Sequence, residues 1–152
     1  MYASTIRTAL NTHPLTADTF RDVISADQLP TRTDQRGIYV VNTQPERNPG
    51  EHWVTVEYDP TSLYYFDPMG LPPHPTILLH LKRTKALRNR SLDHNNVRRQ
   101  GYRQTCGLYC IYHTLTRTTD RYTMDIFNTD LDFNDRIVHN LVSELFNVNK
   151  IF

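Results

Sequence analysis

Four kinds of side chain in this sequence could together open a peptide bond: a thiol, an imidazole, a carboxylate and a primary amide. The thiol is Cys106, followed by Gly107, where polar Gln104-Thr105 gives way to an apolar run. Leu108, Ile111, Tyr112 and Leu115 keep helical spacing, which predicts a helix over 106–116. A cysteine at a helix N-terminus meets the positive end of the macrodipole, which favours thiolate. Gly107 lacks a side chain and lets a substrate backbone come close.

The imidazole and the carboxylate belong to one hairpin. His52–Tyr58 and Leu63–Asp67 are β-branched and aromatic runs joined by the turn Asp59-Pro60-Thr61-Ser62. Pairing Asp59 with Ser62 sets the register: Val54 faces Asp67 and His52 faces Met69. His52 and Asp67 then become diagonal neighbours on one face, about 7–8 Å apart at the backbone. A one-residue slip would send them to opposite faces. A thiolate beside a histidine that a carboxylate orients is the arrangement for acyl transfer. The oxyanion needs donors too. The Cys106 N–H is one; Gln100 is the side-chain candidate and Gln104 its rival.

These residues need elements to hold them. Ile6 and Leu10 share the face of a first helix. Thr16 reads as the cap of a second helix bearing Phe20, Val23 and Ile24. Gly37–Asn42 reads as a strand, and Pro45, Pro49 and Gly50 mark a loop. A helix is expected over 76–87, a short strand around 96–98, and a last helix capped by Asn134. Helices flanking a central antiparallel sheet make an α+β class.

At 152 residues the chain has the length of one domain, 1–152, and can bury a core without metal or disulfides. Hydrophobic residues at 38% and charged residues at 22% argue against wholesale disorder. A net charge of +1 is far from that of a general nucleic-acid binder. The total hides an asymmetry. Lys82, Arg83, Lys85, Arg88, Arg90, Arg98, Arg99 and Arg103 against Asp93 give +7 over 82–103, leaving −6 elsewhere. Such a segment is most simply a solvated face, and it could also hold phosphates by counterion release.

No apolar run reaches the roughly 18 residues of a membrane span, so no membrane partner is expected. Met1 to Leu15 lacks a basic start followed by an apolar stretch, so no signal peptide is expected. Two cysteines four residues apart are no secreted disulfide framework, which favours a reducing, intracellular setting. Cys106, Cys110 and His113 share a helix face, but structural zinc draws its ligands from two elements; no metal is expected and Cys110 reads as core.

The order His, acid, Gln, Cys resembles the adenovirus protease (adenain) family and, more distantly, the proteases of SUMO and related ubiquitin-like proteins. The carrying segments are Asp27-Gln28-Leu29-Pro30, Val40–Thr43, Gly50–Val54, Tyr65–Gly70 and Gln100 with Thr105-Cys106-Gly107-Leu108-Tyr109-Cys110. The resemblance implies an adenain-type, papain-like fold with Cys106 as nucleophile and His52 as general base. It further implies that Asp67 orients His52 and that Gln100 completes the oxyanion hole. By the same resemblance Trp53 lines the groove before the scissile bond, and cleavage follows small residues, often glycine.

The implied role is a cysteine endopeptidase, working as a monomer, that cleaves viral precursor proteins during virion maturation in the host nucleus and the particle. It requires no cofactor for its chemistry. DNA or a peptide would be an activator, although adenain's peptide-tethering cysteine has no counterpart here. Two other readings stand beside it: a deconjugating protease for a ubiquitin-like modifier, and an inactive nucleic-acid-binding virion component.

Overall fold

The computed structural model describes residues 1–33, 35–44, 52–101 and 104–147. The first helix, α1 (Ala3–Thr12), buries Ile6, Ala9 and Leu10 along one side. Thr16 does not cap a second helix. Its hydroxyl donates back to Leu10 O at 2.8 Å and closes the end of α1.

Residues Phe20–Ser25 form a strand, β1, where a helix was expected. It runs parallel to β2 (Gly37–Asn42), with an irregularity in register between Phe20 and Asp22. In a regular strand Phe20 and Val23 would point to opposite faces. The extra residue turns both into the same core cluster, so a bulged strand shows a helical spacing. Arg7 then ties α1 to this strand through Asp22 at 2.8 Å and Val23 O at 3.0 Å.

The hairpin forms as its register requires. In β3 (Trp53–Tyr58) and β4 (Ser62–Phe66), Tyr58 pairs with Leu63, Val56 with Tyr65 and Thr55 with Phe66. The Asp59 N–H donates to Ser62 O at 2.9 Å and closes the turn. Helix α2 (Pro75–Arg83) is shorter than expected, and the chain turns at Lys85, whose φ is 59°. It returns as β5 (Ser91–His94), earlier than the strand expected around 96–98.

The sheet order is β1-β2-β3-β4-β5. Both outer pairs are parallel and both inner pairs antiparallel, so the sheet is mixed rather than antiparallel throughout. Parallel pairing of β4 and β5 needs a crossover, and α2 supplies it. Helix α3 (Cys106–Thr118) matches the expected apolar run. The last helix, α4 (Leu131–Phe146), is capped by Asp130, whose carboxylate accepts from Phe133 N–H at 3.0 Å. Asn134, the expected cap, lies inside the helix and is buried.

The α+β architecture has three layers. On one face α2 packs Ile77 and Leu81 against Val54, Val56, Tyr58, Leu63 and Tyr65. On the other, α3 packs on β3, α1 lies beside it against β1, and α4 packs against α3. Tyr109, Ile111 and Leu115 of α3 are fully buried. Each such side chain stabilises by about 1.5–3 kcal/mol, so α3 is held by its surroundings rather than by propensity. Glu57 on β3 is buried too, and bonds Arg36 at 2.8 Å and Arg117 at 2.7 Å. That pairing joins the sheet to the C-terminal end of α3.

Candidate active site

The first turn of α3 meets the open end of the β3–β4 hairpin. His52 stands one residue before β3, and its carbonyl accepts from Thr43 N–H at 3.0 Å, which extends the β2–β3 ladder to its edge. Asp67 stands one residue after β4. Across that edge His52 Nε2 lies 2.7 Å from Asp67 Oδ1.

Asp67 is nearly buried, at 3% exposure, and four groups fix it. Its Oδ1 also accepts from Met69 N–H at 2.7 Å. Its own N–H donates to Asn95 Oδ1 at 2.8 Å, and its carbonyl accepts from Asn95 Nδ2 at 2.7 Å. The carbonyl also accepts from Gly70 N–H at 2.9 Å. Gly70 has a φ of 70°, and a Cβ there would sit 2.6 Å from Arg98 N, so the tight turn after Asp67 needs glycine.

With Nε2 on Asp67, His52 still lies close enough to Cys106 for the two groups to shift each other's titration. Burial draws His52 down, but the bonded Asp67 carboxylate and the Cys106 sulfur outweigh it and push the imidazole up to about 9. Burial likewise raises the Cys106 thiol. The His52 hydrogen bond, the Trp53 N–H, the imidazolium charge and the Gly107 N–H outweigh that and leave it below its ordinary value. Opposite shifts in the two groups favour the thiolate–imidazolium form over the neutral pair. Cys110, one turn along α3, is fully buried, and burial pushes its thiol well up. Both cysteines are free.

Gln100 is buried and Gln104 is exposed. The N–H groups of Arg99 and Gln100 both donate to Pro68 O, at 2.8 and 3.0 Å, so the glutamine's backbone is fastened beside Asp67. Trp53 is half-buried, and its indole N–H donates to Met1 O at 3.2 Å. The space a side chain would need at Gly107 is filled by Met1 Sδ, 2.9 Å from an ideal Cβ, and by Ile6. The missing side chain there makes room for the N-terminal residues.

The basic residues divide. Lys82, Arg83, Lys85 and Arg88 are exposed at the end of α2 and in the turns after it. Arg90 is spent on the carbonyls of Thr33, Ala86 and Asp59 and lies over the Tyr58 ring. Arg98 binds the carbonyls of Gln100 and Gly101, and Arg99 that of Phe127. Arg103, with the expected loop around Pro45, Pro49 and Gly50, lies outside the described residues. No cluster of metal-ligating side chains occurs among the described residues. No helix among them is long and apolar enough to cross a membrane.

Asn95 and the Trp53 N–H escape any reading of side-chain motifs. The first is one polar residue in a polar stretch, and the second is backbone. Their parts follow only once β5 and β3 are in place.

No family model and no curated protein matches this sequence. Solved structures do match its fold. The ASFV pS273R protease aligns over 95% of this chain and 66% of its own, with 17% identity and a TM-score of 0.64. Its Se-Met form aligns over 76% and 45%, with 22% identity and a TM-score of 0.52. AvrA delL154 with IP6 and CoA aligns over 74% and 46%, with 17% identity and a TM-score of 0.50. The fold is that of these proteins. The chain spans about half to two thirds of their length.

Proposed function

We propose that this chain is a cysteine endopeptidase, with Cys106 as nucleophile, His52 as general base and acid, and Asp67 as the group that orients His52. The observation that carries this reading is His52 held 2.7 Å from a buried carboxylate and close to the cysteine that opens a helix. The likeness in fold to the ASFV pS273R protease supports it.

The Cys106 thiolate attacks the scissile carbonyl carbon. The oxyanion that forms is met by the Cys106 N–H and the Gln100 side-chain amide. The imidazolium of His52 gives its proton to the leaving amine, and an acyl-enzyme remains. Water enters, His52 takes its proton, and the acid product leaves with the thiolate restored. Asp67 holds one His52 tautomer throughout, so the nitrogen facing the sulfur is the one that exchanges protons.

The substrate class in this reading is a viral precursor protein cut after a small residue, as the resemblance to the adenain family implies. DNA is a candidate activator through the exposed Lys82, Arg83, Lys85 and Arg88.

Iodoacetamide and a Cys106→Ala variant test the proposal together. Cys106 should alkylate faster at pH 7 than a free thiol, and the variant should abolish cleavage of a fluorogenic peptide amide ending in Gly-Gly. An ordinary alkylation rate, with cleavage unchanged in the variant, would sink the enzyme reading.

A further inference from the structure

The segment that leads from Gln100 to Cys106 is irregular in its described residues, yet α4 grips it at several points. Asp135 Oδ1 accepts from Gly101 N–H at 3.0 Å, Thr105 Oγ1 at 3.0 Å and the Tyr109 hydroxyl at 2.8 Å. Asn134, the residue before it, donates from Nδ2 to Arg99 O at 3.0 Å and to Asn128 O at 2.8 Å. The Tyr109 hydroxyl also lies 3.0 Å from Arg99 O. It has one proton, and a carboxylate is the stronger acceptor. Burial, and then the Asp135 carboxylate, push the Tyr109 phenol far up, so it stays a donor at all working pH.

Asn134 and Asp135 are 0% and 1% exposed. Burying a carboxylate costs several kcal/mol unless donors compensate, and apolar side chains would pack α4 against α3 without that cost. The donors are evenly spaced in sequence and converge on one oxygen: one precedes the nucleophile by five residues, one is its neighbour, and one lies a turn beyond. Position 101 fits the same purpose. A Cβ there would sit 2.7 Å from Asp135 Oδ2 and 3.2 Å from Leu131 O, so only glycine lets the loop reach the carboxylate.

We propose that Asp135, supported by Asn134, is a positioning residue for the oxyanion pocket. It sets the distance between the Gln100 amide and the Cys106 backbone N–H, the two donors that must converge on one oxygen. The role rests on the cysteine-protease reading above. Asp135 touches neither substrate nor sulfur. It acts by holding Gly101 and Thr105, which flank the path from one donor to the other. Electrostatic stabilisation of this kind depends on donors fixed before the charge develops, and small displacements are costly.

The test separates the oxyanion from the thiolate. Asp135→Ala and Tyr109→Phe are compared with wild type in three measurements. These are turnover of the Gly-Gly peptide amide, binding of a peptide aldehyde of the same sequence, and alkylation by iodoacetamide across pH. The aldehyde forms a hemithioacetal whose oxygen needs the pocket; alkylation does not. The expected result is a loss of about 10- to 100-fold in kcat, an equal loss in aldehyde affinity, little change in KM, and an unchanged alkylation profile. Tyr109→Phe keeps the ring's packing and so reports even where Asp135→Ala fails to fold.

Unchanged kcat in Tyr109→Phe, or alkylation falling in step with kcat, would overturn the assignment. A wild-type enzyme that alkylates quickly but neither turns over the peptide nor binds the aldehyde would overturn the protease reading, and this one with it.

Discussion

Asn95 holds both backbone groups of Asp67: its Oδ1 takes the aspartate's N–H at 2.8 Å and its Nδ2 gives to the carbonyl at 2.7 Å. The asparagine follows β5 and the aspartate follows β4, so the acid's place depends on the parallel pair of strands. Replacing Asn95 with Ala leaves the Asp67 N–H without its partner, a loss worth about 1–3 kcal/mol where buried, and leaves the carbonyl with Gly70 N–H alone. The expected outcome is a tenfold or greater fall in kcat/KM, with a smaller loss in the urea midpoint. Asn95→Asp, which keeps only an acceptor, should fall between. Steady-state kinetics on the three proteins decide it.

The two site shifts give a pH profile. Cys106 titrates below its ordinary value of 9.0, so the acidic limb of kcat/KM should rise before a free thiol would ionise. His52 keeps its proton up to about 9, so the alkaline limb should fall there. The bell would therefore be broad. The sign for stability follows from the same group: a raised imidazole contributes fully below its unfolded value of 6.5, and the contribution is lost as pH climbs through about 9. Asp67→Asn should move the alkaline limb down, because the carboxylate that holds the imidazolium is gone. A limb that stays in place would contradict the coupling.

The choice between two glutamines is open to direct measurement. Gln100 is buried and fastened beside Pro68, whereas Gln104 is exposed. Gln100→Ala should lower kcat by about 100-fold or more, as loss of one oxyanion donor does elsewhere. Gln104→Ala should change it less than about twofold. The reverse ranking would hand the role to Gln104.

Glu57 offers a prediction about stability rather than catalysis. Burial raises this carboxyl, but hydrogen bonds from Arg117 and Arg36 and their charges outweigh it and leave it below the usual carboxylate range. A lowered carboxyl stabilises above its unfolded value of 4.5 and loses that contribution as pH falls. Removing both arginines leaves a buried charge alone, at a cost of about 3–5 kcal/mol. The single variants should each cost less, because the other arginine remains. Urea unfolding at pH 7 and pH 4 would show the difference shrinking in acid.

The exposed cations predict a salt effect. If polynucleotide binds through Lys82, Arg83, Lys85 and Arg88, log affinity should fall with log salt at a slope of about −4. Neutralising all four should flatten it. Arg90, Arg98 and Arg99 are committed to backbone carbonyls, so changing them should unsettle the fold instead.

The hairpin and the central helix could be read from sequence because their signals are local. An alternating run, a short turn and an apolar helical stripe each need only near neighbours. The pairing of Thr55 with Phe66 then follows by counting, and His52 and Asp67 follow from the pairing. What failed was long-range or irregular. The bulge between Phe20 and Asp22 disguised a strand as a helix. The parallel partners β1 and β5 are set by crossovers that no local pattern announces. Asn134 looked like a cap and proved to be a buried brace, since a helix start and a helix interior can carry the same residue.

The two thiols on α3 lie a turn apart in contrasting surroundings, one half-open and near an imidazole, the other sealed within the core. A native molecule should therefore accept a single equivalent of an electrophile, and intact-mass spectrometry of a treated sample would count competent molecules one by one. A second adduct would report loosening of the interior, which makes the silent cysteine a built-in gauge of damage during storage or heating.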